Sequence, residues 1–410
     1  MTTGDEETIY LDNNATTPLD PAVVEEMLPF LTKYYGNPSS GYAFAARARK
    51  AVDLARERLA ALLGCQPSEI VFTSGGTESN NAAINSALQF DPGRKFATER
   101  TCCGEHVVTS AVEHSAVLRP CQDLMKKRCD VTFLGVDRDG NVDLAELESA
   151  IRPQTALVSM MWANNETGVL FPIEKIAALC HAKGVLFHTD AVQAVGKIPM
   201  RVHDTAINFL SLSAHKFHGP KGVGALYVRR GTRFCPLIAG GGQENGRRGG
   251  TENVASIVGL GKAAQRALEY LTEGKTHIRS MRDRFEKVIL KTVGGASVNG
   301  AQAARVPNTS SLSFEGIESA AALLLLDRHC ICCSAGSACR TGSQEASHVL
   351  RAIDPSGDAA RRSLRFSFGR FNIDAQVDRA IEIVPEVIEK LRRTASPARG
   401  SSVSSIATAR

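Results

Sequence analysis

The chain has 410 residues, 43% of them hydrophobic and 22% charged, and 48 basic residues against 43 acidic ones leave a net charge of +5. That length is too great for one small core and predicts two domains in one subunit. The near balance of charge argues against a basic nucleic-acid groove. No apolar run reaches the roughly eighteen residues of a membrane span. Met1–Thr8 is polar and acidic, unlike a secretory signal or an Arg-rich transit peptide, so the expected compartment is the cytoplasm. Eleven cysteines, an odd number without regular spacing, read as reduced thiols, most of them small buried hydrophobes. Cys102-Cys103 and Cys330-x-Cys332-Cys333 lack a partner pair at ligand spacing, so no structural metal is expected.

Residues 1–8 read as a flexible tail. Ile9-Tyr-Leu is a short strand running into the polar turn Asp12-Asn-Asn-Ala-Thr-Thr-Pro18. Asp20-Pro21 has the form of an N-cap with proline at the first helical position, and that helix runs to about Lys33. Gly36–Gly41 is a loop. Ala45–Leu63 has helical periodicity and ends at Gly64. The strand Ile70-Val-Phe-Thr-Ser delivers Gly75-Gly-Thr-Glu-Ser-Asn-Asn81 and an alanine-rich helix. Strand, glycine turn and helix start form an anion cradle of main-chain N–H groups. They equally describe a simple helix capped by Thr77 or Ser74.

The following strands each end in polar groups. Val107-Val-Thr begins a strand whose end is expected at Val112-Glu-His114-Ser115. Val131–Leu134 is a strand and Asp143–Ile151 a helix. Ala156–Met161 precedes Trp162-Ala-Asn-Asn165-Glu-Thr-Gly168, and Ile173–Lys183 is a helix. Val185–Asp190 carries a carboxylate at its tip, followed by Gln193. A lone Asp there is ordinarily a helix N-cap. Ile207–Ser213 leads into Ala214-His215-Lys216-Phe-His-Gly-Pro-Lys-Gly-Val-Gly224 and a second buried strand at Ala225–Val228. A lysine in such a turn is usually solvated. The surrounding glycines and the neighbouring positive charge also suit an amine that forms an imine with a planar cofactor.

Gly240–Thr251 is a long glycine-rich loop, read as a linker or as a flap reaching another subunit. Helices follow at Val254–Tyr270 and His277–Val293. The pattern then changes: strand Asn308–Phe314, helix Ser319–Leu326, strand edge Ile331–Ser334, the small-residue loop Ala335-Gly-Ser-Ala-Cys339-Arg-Thr-Gly342, strand Leu364–Phe368 and helix Ala375–Arg393. Residues 396–410 are Ser/Ala-rich and expected to be disordered.

Residues 70–228 alternate strand and crossover, which predicts a mainly parallel sheet with helices on both faces. The strand tips would gather Gly76, Thr77, His114, Asn165, Asp190, Gln193, Ser213, His215 and Lys216. An anion cradle, an imidazole, a carboxylate and an amine together suit pyridoxal phosphate, which needs a lysine imine and a carboxylate at its ring nitrogen.

The segments YLDNNATTPLD, YGNPSS, TSGGTESNN, MWANNETG, FHTDAVQAVGK, SAHKFHGPKGVG, RRGGTEN, SSLSFEG, SAGSAC and LRFSFGRF span Ile9 to about Arg393. Through them the chain resembles the cysteine desulfurases of the class V aminotransferase family, nearest the nitrogen-fixation (NifS) branch, with the housekeeping (IscS) branch close by. The resemblance implies an α/β type I pyridoxal-phosphate transferase fold. Its large domain would hold a mainly parallel seven-stranded sheet over residues 25–265, with a smaller α+β domain from 9–24 and 266–395.

It also implies roles. Lys216 would form the cofactor imine and act as base, Asp190 would pair with the ring nitrogen, and Gln193 would bond the phenolic oxygen. His114 would stack on the ring and move protons. Gly76, Thr77, Ser213 and His215 would hold the phosphate, with Thr251 arriving from the partner of a homodimer. Arg365, with Asn165 and Asn37, would bind the substrate L-cysteine. Cys339 would take the sulfur as a persulfide, releasing alanine. An iron–sulfur scaffold protein would accept that sulfur, so Cys339 would meet iron only transiently and through the scaffold.

The alternatives are a selenocysteine lyase, a housekeeping desulfurase, an aminotransferase of the same fold, or a non-catalytic binding protein. The thiol in SAGSAC argues against the aminotransferase, and the full residue set argues against the binding protein. The chain departs from the family pattern by extra length before Val107, with Cys102 and Cys103, by Tyr42, and by Cys332 and Cys333 ahead of the thiol loop.

Overall fold

The computed structural model describes residues 8–89, 105–274, 276–335 and 347–395. Cys102, Cys103, Cys339 and the expectations for the two tails lie outside the described residues. In chain order the strands are β1 (Ile9–Tyr10), β2 (Ile70–Thr73), β3 (His106–Ser110), β4 (Asp130–Leu134), β5 (Thr155–Ser159), β6 (Leu186–Asp190) and β7 (Phe209–Ser213). Then come β8 (Gly224–Val228), β9 (Ala296–Val298), β10 (Thr309–Phe314), β11 (Ile331–Cys332), β12 (Ser334–Ala335) and β13 (Ser363–Ser367).

Seven of them form one sheet in the order β2-β8-β7-β6-β5-β3-β4. β8 pairs antiparallel with both neighbours, and every other pairing is parallel, so β8 alone runs backwards. The sheet is apolar on both faces. Ile70, Phe72, Val108, Val158, Phe187, Leu210 and Tyr227 pack into one core, against Leu59 and Leu63 of the helix Ala43–Leu63 and Ile257 and Leu260 of the helix Val254–Thr272. The alternate residues Val71, Val107, Leu157, Phe209, Leu226 and Val228 pack on the other face, against Ala83 and Ile84 of the helix Gly76–Leu88. Near-continuous hydrophobic strands are what a sheet covered on both sides requires.

A second, antiparallel sheet has the order β12-β13-β10-β9, and β1 pairs in parallel with β11. Their core joins Ile9 and Leu11 to Leu312, Leu364 and Phe366, beneath the helices His277–Thr292 and Asp374–Ala395. The first strand of the chain is thus packed into a core built from residues beyond 280. Strand β9 and the helices His348–Ile353 and Asp358–Arg362 were not anticipated. All three are short, and periodicity needs more residues to register.

Local chemistry explains most boundaries. Asp20 caps Pro21–Thr32 by accepting from Ala22 N at 2.9 Å. Gly64, in the left-handed region at φ 65°, closes Ala43–Leu63. β3 stops at Ser110, earlier than expected. The Glu113 carboxylate takes hydrogen bonds from Ser110 Oγ (2.7 Å) and Met161 N (2.8 Å), which turn the chain away from the sheet after Ala111.

Gly240–Thr251 is not a linker. Arg56 grips Glu244 with both terminal nitrogens, at 2.6 and 2.9 Å, and Phe72 N donates to the same carboxylate at 2.8 Å. Arg247 Nη2 and Arg56 Nη1 each donate to Ile70 O at 2.9 Å. Arg248 pairs with Glu78 at 3.0 Å. The loop is therefore fastened along β2, the terminal strand of the large sheet.

Candidate active site

The strands parallel to β7 all deliver their carboxyl ends to one side of the sheet, the side where open α/β sheets bind ligands. A cavity of about 360 Å³ lies there. Gly76, Thr77, His114, Asn165, Asp190, Gln193, Ser213, His215, Lys216 and Arg365 all line it. Thr251 and Asn37 do not. Both are exposed, and the Asn37 side chain is spent on its own loop, accepting from Ser39 N at 2.9 Å.

The lysine turn is a single 3₁₀ turn, Ala214–Lys216, between the antiparallel neighbours β7 and β8. Lys216 Nζ donates to the main-chain oxygens of Asn14 (2.7 Å) and Ala15 (2.8 Å). It is not a solvated surface lysine. His215 Nδ1 lies 3.1 Å from Thr16 Oγ1. Burial, then the charges of Lys216 and Lys221, push His215 down to about 4, so its ring is neutral at physiological pH.

Asp190 has both oxygens engaged. Asn80 Nδ2 donates to Oδ2 at 2.7 Å and Val192 N to Oδ1 at 3.0 Å. The second bond is the ordinary cap-like contact of an Asp after a strand. The first comes from a buried amide that holds the carboxylate in place for a partner in the cavity. His114 is the N-cap of Ser115–Met125 and accepts from Ala116 N through Nδ1 at 3.1 Å, which leaves Nε2 as its proton-bearing nitrogen.

The glycine turn is capped by neither Thr77 nor Ser74. Its N-cap is Gly75, at φ 151°, without a side-chain cap bond. Glu78 Oε2 instead takes Ser74 N at 2.8 Å. Gly76 and Thr77 stand in the first turn of the helix, whose N–H groups have no helical acceptor, and face the cavity beside Ser213 and His215. The turn fits there because β8 begins with glycine. A Cβ on Gly224 would stand 2.4 Å from Leu212 O and 2.7 Å from the Gly75 Cα.

Three residues that sequence reasoning left without a role are central. Asn14 is buried. Its main-chain oxygen receives both Lys216 Nζ and Gln193 Nε2 (2.9 Å), and its side chain bonds Lys197 Nζ (2.9 Å), Asn308 Nδ2 (3.0 Å) and Thr309 Oγ1 (2.8 Å). Lys197 Nζ also donates to Gln193 Oε1 at 2.5 Å, which turns the Gln193 amide nitrogen toward Asn14 and the cavity. Burial, then the charges of Lys216 and Arg365, hold Lys197 well below the usual lysine range. Asn80 is the third. The only available signal was membership of polar runs at a strand or helix end.

Arg365, on β13, is 3% exposed. Its Nη2 pairs with Asp12 Oδ1 at 2.6 Å and its Nη1 donates to Asn165 O at 2.8 Å. The donor set suits a phosphate at Gly76–Thr77, a ring nitrogen at Asp190, an aldehyde carbon at Lys216 and a carboxylate at Arg365. Fold and cavity together define a pyridoxal-phosphate enzyme of the type I transferase fold.

Comparison with known proteins narrows the class. Residues 9–380 match the family described as aminotransferase class-V. The chain is 53% identical over 386 residues to a cysteine desulfurase of Gluconacetobacter diazotrophicus, covering 94% of each protein. It is 49% identical to the cysteine desulfurase NifS of Azotobacter vinelandii, covering 94% of this chain and 93% of that one. Among solved structures, a NifS-like protein superposes with a TM-score of 0.85 at 37% identity, over 94% of this chain and 100% of the other. SspA in complex with cysteine superposes at 0.78, with 37% identity over 89% and 99%. The chain belongs to the aminotransferase class-V family, in its branch of pyridoxal-phosphate-dependent cysteine desulfurases.

Proposed function

We propose that the protein takes sulfur from L-cysteine, releases L-alanine, and holds the sulfur as a persulfide on Cys339 for transfer to an iron–sulfur scaffold, with nitrogenase maturation as its destination. The observation that carries this reading is the convergence of Lys216, Asp190, His114 and Arg365 on one cavity. When bound, pyridoxal phosphate supplies the electron sink for bond breaking at the substrate's Cα. Arg365 holds the substrate carboxylate with guanidinium donors that Asp12 and Asn165 leave free. Lys216 Nζ, already among hydrogen-bond acceptors, takes and returns the Cα proton. His114, its Nδ1 occupied by Ala116 N, moves protons through Nε2. The Cys339 thiolate attacks the substrate sulfur, so an S–S bond forms as the C–S bond breaks. That electron pair stays on carbon, which gains a proton and leaves as the methyl group of alanine.

The relative from Azotobacter vinelandii named NifS supports the nitrogen-fixation destination. Homodimer formation is supported by an outward apolar stripe on the helix Pro21–Thr32. Val24, Leu28 and Leu31 are 44, 55 and 64% exposed, and Tyr35, Tyr42 and Phe44 extend it. In a dimer, Thr251 would reach the phosphate of the other subunit.

The test is turnover of L-cysteine with a thiol reductant. The wild type should yield alanine and sulfide in equal amounts. Cys339→Ser should keep the visible absorbance of the bound cofactor and lose sulfide release. Full turnover by that variant refutes the persulfide. Restoration of nitrogenase maturation in a bacterium lacking its own desulfurase tests the destination.

A further inference from the structure

Arg365 is a buried guanidinium with five N–H donors, and two of them have acceptors in the structure. Its Nε is buried without a partner among the described residues, and the side chain lines the cavity. What fixes its aim is Asp12. One oxygen, Oδ1, takes Arg365 Nη2 at 2.6 Å, and the other, Oδ2, takes Ser334 Oγ at 2.9 Å. Ser334 and Arg365 are themselves cross-strand neighbours in the β12–β13 pairing. The Asp12 backbone bridges in parallel to Ser367, two residues along β13 from Arg365. Leu11 N, next in the chain, bonds Cys332 O at 2.8 Å. The carboxylate is therefore held by Ser334, and the Asp12 backbone is held at β13 and, through Leu11, at β11, before the side chain reaches the guanidinium.

We infer that Asp12 is the positioning residue for substrate-carboxylate recognition: it holds Arg365 from behind so that the free guanidinium donors face the cavity. The inference rests on the proposed cysteine reaction and adds a determinant of specificity to it. An arginine has many rotamers, and burial alone does not select one. A charge-assisted hydrogen bond to a fixed carboxylate does, and with the Asn165 contact it leaves one N–H on each terminal nitrogen for an incoming carboxylate, the two that bidentate recognition uses. Asp12 touches neither the cavity nor the reacting atoms, so its effect should fall on ligands that carry a carboxylate and spare those that do not.

The test uses holoenzyme carrying Cys339→Ser, which prevents turnover, and reads ligand binding from the visible spectrum of the bound cofactor. L-Cysteine is compared with cysteamine, the same aminothiol without its carboxylate. Asp12→Ala should weaken L-cysteine binding about tenfold, the loss of one hydrogen bond to a charged group, and leave cysteamine unchanged. Asp12→Asn, which keeps an acceptor for Nη2, should bind L-cysteine within about threefold of the parent. Three outcomes overturn the inference: Asp12→Ala binding L-cysteine like the parent, equal weakening of both ligands, or no recovery with asparagine. If the parent itself does not prefer L-cysteine to cysteamine, the carboxylate role of Arg365 fails, and the inference fails with it.

Discussion

Replacing Glu113 by glutamine should make the protein more stable at pH 8 and almost neutral in effect at pH 5. The carboxyl is fully buried; Oε1 accepts from Ser110 and Met161, and Oε2 has no partner among the described residues. Burial pushes its pKa up from 4.5 to about 8, with the Asp190 charge adding to the rise. A carboxyl raised in this way keeps its proton in the native state where the unfolded chain has already lost it. Its contribution to stability is complete below pH 4.5 and is lost as the pH rises toward 8. At about 1.4 kcal/mol per tenfold, that gap amounts to about 4 kcal/mol by pH 8. Glutamine has the shape of the neutral acid and cannot ionise, so the variant escapes the loss. Denaturant midpoints of both proteins at pH 5, 6, 7 and 8 measure the difference, which should open steadily toward the variant. Infrared spectra at pH 7 should show a protonated carboxyl band that the variant lacks. Parallel stability profiles, or no such band, would refute a neutral Glu113.

Two further outcomes follow from the same geometry. In cofactor-free protein His215 is held down to about 4, so stability should fall as the pH drops from 6.5 toward 4; His215→Gln should flatten that fall in urea midpoints between pH 7 and 4.5. Gly224→Ala would drive a methyl into Leu212 O and the Gly75 Cα, so it should cost about 1–3 kcal/mol and raise the pyridoxal-phosphate dissociation constant by displacing the cradle; thermal melts and cofactor titration check both.

The large sheet could be read from sequence because its strands are continuous apolar runs whose ends carry polar groups of distinct chemistry. Asp190, His114 and Lys216 stood out for that reason. Asn14 could not be read the same way. Its decisive contact is a main-chain oxygen, which any residue would supply, and its value depends on β1 joining a core built from residues beyond 280. Asn80 looked like one of two adjacent amides on a helix, and only the packing of that helix against β6 selects it. The linker reading of the glycine-rich loop failed because composition reports flexibility, whereas Glu244, Arg247 and Arg248 supply the anchors. Thr251 and Asn37, both expected at the site, lie outside the cavity of a single chain.

That loop has a consequence for how the chain survives its own synthesis. β2 is a bare margin of the large sheet, and a bare margin invites another extended segment to hydrogen-bond along it and seed aggregation. Here its outward Phe72 N–H and Ile70 C=O are already taken by Glu244, Arg56 and Arg247. The cover is made of side chains rather than a further strand, so it ends the ladder without offering a new one. Along that margin, a newly folded chain gives passing chains no strand to copy.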